Sequence, residues 1–579
     1  MNKTQKSPTL FLLTTVMVAM MACTSQDREH LAEHRTEQPQ LQAPQPTSIT
    51  APVAIHQDEN KLEVDRIHPS TAGLAAKESR FQVGADLAAL RMAGEPLDRE
   101  TYAHYQHNPI QLAAEHPVST FSIDVDTGSY SNVRRMLREG RLPVQDAVRI
   151  EELVNYFSYD YPRPTSTDQP FRVSTEMAVT PWNPKTHLLQ IGIQGYEVAA
   201  NDLPASNLVF LIDVSGSMES PDKLGLLKSV LSLLSKRLRP EDRVSIAVYA
   251  GASGIVLEPT AGNDSFKIEQ ALAALSAGGS TNGAAGIRLA YDLAERAFIK
   301  DGINRVLLAT DGDFNVGTTN FEALIDLIEE KRKSGIALTT LGFGSGNYND
   351  QLMEQLADAG NGNYAYIDTL LEAQKVLVDQ VGSTLQTIAK DVKIQIEFNP
   401  ALVAEYRLIG YENRVLQRED FNNDQVDAGE IGAGHNVTAL YEIALVGSGG
   451  TRVDPLRYGS NSGKVTTDKT ELALLRLRYK APNGDTSKLI ESPIHKRIIN
   501  TRLAETSERF RFAAAVAGFG QQLRGDRYLE NFSYPQILEL ARNARGMDPF
   551  GYRGEFIQLV GLAASLSHAT PSQAQLGDD

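Results

Sequence analysis

The sequence predicts an α/β protein: a doubly wound, mostly parallel sheet flanked by or inserted into a β-sandwich, followed by a C-terminal helical region. Three observations predict it. Residues 207–387 alternate apolar strands with amphipathic helices, a rhythm that requires a parallel sheet covered on both faces. On either side, residues 171–206 and 388–485 carry the period-two alternation of half-buried antiparallel strands. Residues 486–579 return to helical spacing. Two separate β-domains would give the same flanking pattern as one interrupted sandwich. At 579 residues the chain is too long for a single core and corresponds to roughly three to four domains.

The N-terminal end reads as an export signal. Lys3 and Lys6 precede an apolar run from Thr9 to Ala22, too short for a typical membrane span but suited to a signal peptide over residues 1–22. Cys23 is the one cysteine, so no intrachain disulfide is possible. The stretch Met20-Met21-Ala22-Cys23 resembles a bacterial lipobox, with Met20 where that pattern prefers Leu. The resemblance implies a lipid on Cys23 and attachment to the membrane; the alternative is a plain signal peptide with an incidental thiol. Thr24 is not the Asp of an inner-membrane retention signal, which favours the outer membrane, on its periplasmic or surface face. Export also removes nucleotides from the expected ligands. Residues 23–100, rich in Gln, Pro, Thr, Glu and Ala without periodicity, read as a tether.

A compact unit over residues 101–170 has a strand at 121–125 (FSIDV), a helix from Ser129 and a second helix from Val148 to Phe157. Phe171, Val173, Thr175 and Met177, then Leu189, Ile191 and Ile193, mark the first sandwich strands. The α/β block offers strands at Leu208–Ile212, Val244–Tyr249, Ile255–Glu258, Arg305–Ala309, Ile336–Gly342 and Tyr364–Ile367. Its first helix opens at Pro221 and repeats Leu224, Leu227, Leu231, Leu234 and Leu238 at helical spacing. Its last helix spans Leu370–Ala389. The sandwich texture resumes at Val392, Ile394 and Ile396, at Val437–Val446 and at Leu472–Tyr479. Helices then follow over Ser507–Leu523, Tyr534–Ala544 and Gly554–Ser567.

Ligands of a doubly wound sheet bind outside the carboxyl ends of its strands. There the first strand runs into Asp213, Ser215 and Ser217, the fourth ends beside Asp311, and the loop SAGGSTNGAAG between two helices offers Thr281. Two carboxylates and three hydroxyls suit a hard divalent cation, Mg2+ above all, with Mn2+ or Ca2+ as substitutes. Neutral hydroxyl ligands leave such an ion much of its charge and a reason to take one more anionic oxygen from outside. The motif D-x-S-x-S at 213–217, the G-G-S-T loop with Thr281 and T-D-G-D with Asp311 together resemble the metal-ion-dependent adhesion site of von Willebrand factor type A (vWA) domains. That resemblance implies coordination by Ser215, Ser217 and Thr281, with Asp213 and Asp311 holding waters or the ion. The flanking stretches STFSIDVDTGSYSNVRR, EELVNYFSYDYP and REDFNNDQVDAGEIGAGHNVTALYEI are similar to those of a bacterial lipoprotein family with a central vWA domain, which makes residues 101–170 a vWA-associated region.

Four other stretches imitate sites. DTGS at 126–129 matches one half of an aspartic protease, but the second carboxylate that chemistry requires is missing and a helix follows. HLAEH at 30–34 has inverted zinc-protease spacing in a segment with no core. GSNSGKV at 459–465 has the wrong spacing for a phosphate loop. DFNNDQVDAGE at 420–430 has calcium-loop acids, with Gln425 where an EF-hand needs Gly. With no catalytic constellation, the expectation is a non-enzyme. A formal net charge of -16 argues against nucleic acid. The expected role is capture of a protein partner through its acidic residue on the metal; the alternative is an envelope scaffold in which the metal is a stabilising brace.

Overall fold

A computed structural model describes residues 100–569 except 167, 281, 313–320, 455–468 and 501. Residues 1–99, with the signal, Cys23, most of the tether and HLAEH, fall outside, as does GSNSGKV at 459–465. Among the described residues no helix is long and apolar enough to cross a membrane.

The α/β domain is a six-stranded sheet in the order 364–367, 337–343, 303–310, 206–213, 243–249, 253–261. All neighbours are parallel except the last pair, a hairpin. Alternate side chains of each strand enter opposite cores, as the pleat dictates. Leu208, Phe210 and Ile212 pack under the helices Leu226–Ser235 and Ser265–Ala274. Val209 and Leu211 pack under Gly283–Arg296, Phe321–Arg332 and Asp350–Ala359. Strand 206–213 is buried throughout, Asp213 included.

Strands from both sides of this domain interleave. One six-stranded sheet combines 111–112, 171–180 and 183–195 with 403–409, 436–445 and 499–500. The second joins 118–122 to 387–398, 431–432, 471–480 and 487–495. Their inner faces share one core, with Met177, Ile191, Ile394, Val437 and Leu475 within it. The α/β domain is therefore inserted into a β-sandwich. The helices Glu508–Arg524, Tyr534–Asn543 and Tyr552–Ala569 share a core with Tyr156, Phe157, Trp182, Leu188 and Leu440, closing the outer face of the first sheet.

Three expectations are corrected. The helix expected over Leu370–Ala389 is broken: Leu370–Gln374 is helical, Lys375–Asp379 forms a wider turn, Gln380 leaves helical geometry, and Val381–Leu385 resumes. Its expected end is already strand, because Ile388 and Ala389 are drawn into the sandwich core and pair toward Ile431. The strand expected at 121–125 lies at Val118–Ser122, set by pairing with 393–397. The sandwich also runs to Asn500, past the expected boundary at 485.

Buried arginines tie the inserted domain to its frame. Arg134, on helix Gly128–Arg138, donates to Asp368 at 2.8 Å, to Glu372 at 2.8 Å, to Tyr156 Oη at 2.9 Å and to Glu555 at 3.1 Å. Arg149 pairs with Glu152 and with Asp350. Arg414, from the sandwich, meets Asp358 at 2.6 Å, Asp124 at 3.2 Å, Glu354 at 3.4 Å and Asp126 at 3.5 Å. The protease-like DVDTGS segment is spent here: Asp124 and Asp126 serve Arg414, and Asp126 also accepts the Tyr364 N–H at 2.8 Å. Gly128 lets this helix touch the Tyr364 ring, where a Cβ would come within 2.2 Å. The calcium-like loop is likewise occupied by protein cations. Lys393 donates to the Asp420 and Asn423 carbonyls, Arg478 and Ser487 reach Asp424, and Arg332 pairs with Asp427.

Two predictions follow from this frame. Removing one partner of a buried ion pair strands the others, so Arg134→Met should cost about 3–5 kcal/mol, read as a lowered denaturant midpoint. Burial pushes Glu151 up to about 8, helped by Glu412 and Asp124. A carboxyl whose folded value is raised contributes its stability below the unfolded value and loses it as pH rises through the folded one. Glu151→Gln should therefore flatten the fall in stability between about pH 5 and pH 8, measured by urea unfolding across that range.

Candidate metal centre

The sheet order reverses between strands 206–213 and 303–310. From the first strand the chain steps outward to 243–249 and 253–261, then returns to the opposite side. The register pairs Ile212 with Ala309, bringing Asp213 level with Thr310 and next to Asp311 at the carboxyl edge. Asp213, Ser215 and Asp311 are all buried, while Ser217 is partly open.

Both Asp213 oxygens are held by the protein. Oδ1 accepts the Ser215 N–H at 2.8 Å and Oδ2 accepts the Thr310 hydroxyl at 2.9 Å. Burial holds the Asp213 carboxyl above its usual range; the Ser215 and Thr310 hydrogen bonds oppose that and the charge of Asp311 adds to it. The Ser215 and Ser217 hydroxyls lie 3.0 Å apart. The two are hydrogen-bonded to each other, at a separation that also matches the about 2.8–3.0 Å between adjacent ligands of an octahedral ion at about 2.0–2.1 Å. The Gly278 N–H donates to the Val214 carbonyl at 2.8 Å and the Gly216 N–H to Gly279 at 3.1 Å, strapping the second loop to the first. Thr281, two residues beyond Gly279, lies outside the described residues.

The donor set fits a hard divalent ion: Ser215 and Ser217 would supply neutral oxygens, and Asp213 and Asp311 the anionic charge. Among the described residues no group of three or more His, Cys, Asp or Glu is arranged to hold a metal. Bound there, the ion would supply a Lewis-acidic position for one further oxygen.

Three residues that sequence reasoning passed over complete the site. Thr310 orients Asp213, as above. Lys223 Nζ lies 2.9 Å from Asp311 Oδ2 and 3.2 Å from Asn347 Oδ1, and the Asn347 amide donates to the same Asp311 oxygen at 3.3 Å. The loop carrying Asn347 is stitched to the start of the described chain. The Thr101 N–H donates to the Tyr348 carbonyl at 2.9 Å, and the Gly346 N–H to Glu100 Oε1 at 3.0 Å.

Thr310→Val removes one hydrogen bond to a charged acceptor, worth about 1.5–3 kcal/mol. It should weaken Mn2+ binding by roughly tenfold or more, measured by calorimetric titration.

Comparison with known proteins places the central domain in a known family. Residues 207–380 match the von Willebrand factor type A domain, residues 96–190 match the model described as von Willebrand factor, and residues 383–566 match "Uncharacterized protein YfbK, C-terminal". Over 469 residues the chain is 50% identical to "Uncharacterized protein YfbK" of Escherichia coli (strain K12), covering 80% of each. It is 29% identical over 167 residues to "Uncharacterized protein sll0103" of Synechocystis, covering 29% of this chain and 39% of that one. The solved structure "von Willebrand factor type A from Catenulispora acidiphila" is 15% identical and covers 67% of this chain and 89% of its own, with a TM-score of 0.38, too low to carry an argument. On sequence, the chain belongs to the YfbK family, built around a von Willebrand factor type A domain.

Proposed function

We propose that this protein captures a protein partner through a divalent ion, Mg2+ or a substitute, held by Asp213, Ser215, Ser217, Thr281 and Asp311. A carboxylate of the partner completes the coordination. The observation that carries this reading is the hydroxyl pair of Ser215 and Ser217, 3.0 Å apart, beside two buried carboxylates at the switch in strand order. We read the role as binding and not catalysis. The signal-like N-terminus and Cys23 support an exported, lipid-anchored protein in the cell envelope, with the outer membrane favoured.

One observation favours a second reading. The vWA domain is fixed to its frame by Arg134, Arg149 and Arg414, as befits an envelope scaffold in which the ion is a brace. The two readings separate in a pull-down of envelope membranes with the full chain, in Mg2+ and in EDTA. Capture should require Mg2+ and should be lost in Asp213→Ala and Thr281→Ala, with both variants still unfolding cooperatively in EDTA. Capture that persists unchanged in EDTA would overturn the receptor reading. An ion that shifts the unfolding midpoint without affecting capture would establish the brace.

A further inference from the structure

Lys223 follows the D-x-S-x-S motif, in a wide turn at Pro221–Gly225 that opens the first helix of the domain. By sequence it is an ordinary lysine on a helix that begins at the surface. The structure turns it inward, leaving only 7% of the residue exposed. Its aliphatic stem crosses Gly344, which has φ +71; a Cβ there would lie 2.1 Å from Lys223 Cε, 2.5 Å from Cγ and 2.7 Å from Cδ. A glycine with positive φ therefore clears the path of this side chain. At its end the ammonium meets Asp311 Oδ2 at 2.9 Å and Asn347 Oδ1 at 3.2 Å. The Asn347 amide, bonded to the same Asp311 oxygen, bridges the two charges. Groove, amide and carboxylate together make a seat for one cation.

We infer that Lys223 is a resident cation of the metal centre and sets what the loaded site will accept. This rests on the metal-dependent reading above and extends it to ligand specificity. Asp213, Asp311 and Lys223 together carry one net negative charge when both carboxyls are ionised. A divalent ion reverses that to one net positive charge. Without Lys223 the loaded site would be neutral, with little electrostatic reason to prefer an acidic ligand. A buried ammonium so close is weakly screened, and it acts in two directions. It opposes metal entry, keeping metal affinity moderate. Once metal is bound, it leaves the site cationic and strengthens the hold on an incoming carboxylate. Lys223 is thus a specificity-determining residue that gives up metal affinity in exchange for selectivity toward acidic partners.

The test uses the full chain, Mn2+ as the metal and acetate as the carboxylate probe. Mn2+ affinity is read by electron paramagnetic resonance, and acetate binding by the fall in water-proton relaxivity of the Mn2+-loaded protein. Lys223→Met keeps the stem and removes the charge. It should bind Mn2+ about tenfold more tightly or better, and should require about tenfold more acetate for half-saturation. Lys223→Arg, which keeps the charge, should stay near the parent in both, and denaturant unfolding checks that each variant is folded. If Lys223→Met matches the parent in both measurements, or binds Mn2+ more weakly, the inference is overturned while the metal-dependent reading stands. If neither the parent nor Lys223→Met binds Mn2+, the metal-dependent reading falls and the inference with it.

Discussion

A buried carboxylate at the end of an apolar strand is the constraint on which the centre of this protein depends. Asp213 closes a strand with no exposed residue, where an unpartnered charge would be costly. The chain meets that cost locally, with the Ser215 N–H, and at long range, with the Thr310 hydroxyl from the adjacent parallel strand. The same two contacts fix the course of the following loop and set the Ser215 and Ser217 hydroxyls side by side. Asp311 cannot share Asp213's donors, and it is balanced by Lys223 and Asn347. Satisfying buried acids one at a time thus assembles an oxygen-rich mouth at the edge of the sheet.

The frame obeys the same rule on a larger scale. The vWA domain does not merely lean on the sandwich through apolar contact; buried arginines from the N-terminal unit and the sandwich reach into its acids. Buried pairs of this kind add little net stability over apolar packing but penalise every arrangement that separates them. They favour one seating of the domain over many. The edge with the candidate metal centre is part of that seating, because Glu100 and Thr101 bind the loop that carries Asn347.

Much of the fold was legible in the sequence. Strand–helix alternation fixes a parallel sheet whatever the chain does elsewhere, and the strands of the α/β block lie within a few residues of where their apolar runs place them. Insertion into a sandwich was suggested by the flanking strands but not separable from two β-domains, because it depends on pairings such as Thr120 with Gln395, brought together across an entire domain. The broken helix after Leu370 was misread for a related reason. Its apolar spacing continues, but Ile388 and Ala389 answer to the core of another domain. At the centre, Asp213, Ser215, Ser217 and Asp311 stand out because oxygen-bearing side chains interrupt apolar strands. Lys223 and Asn347 do not, since their roles depend on a groove cut by Gly344, far along the chain. Arg134 and Arg149 were hidden for the opposite reason: an arginine on or just before a short helix reads as solvated charge, and only the folded structure shows them buried.

The central claim is that these side chains form one preassembled divalent-cation site. Anomalous diffraction from crystals of the full chain grown in Mn2+ tests it most directly. The expected result is a strong Mn2+ peak within coordination distance of the Ser215 and Ser217 hydroxyls, with Asp213 and Asp311 in its first or second layer of oxygens. Well-ordered crystals at saturating Mn2+ with no peak there, or with the ion held elsewhere, would contradict it.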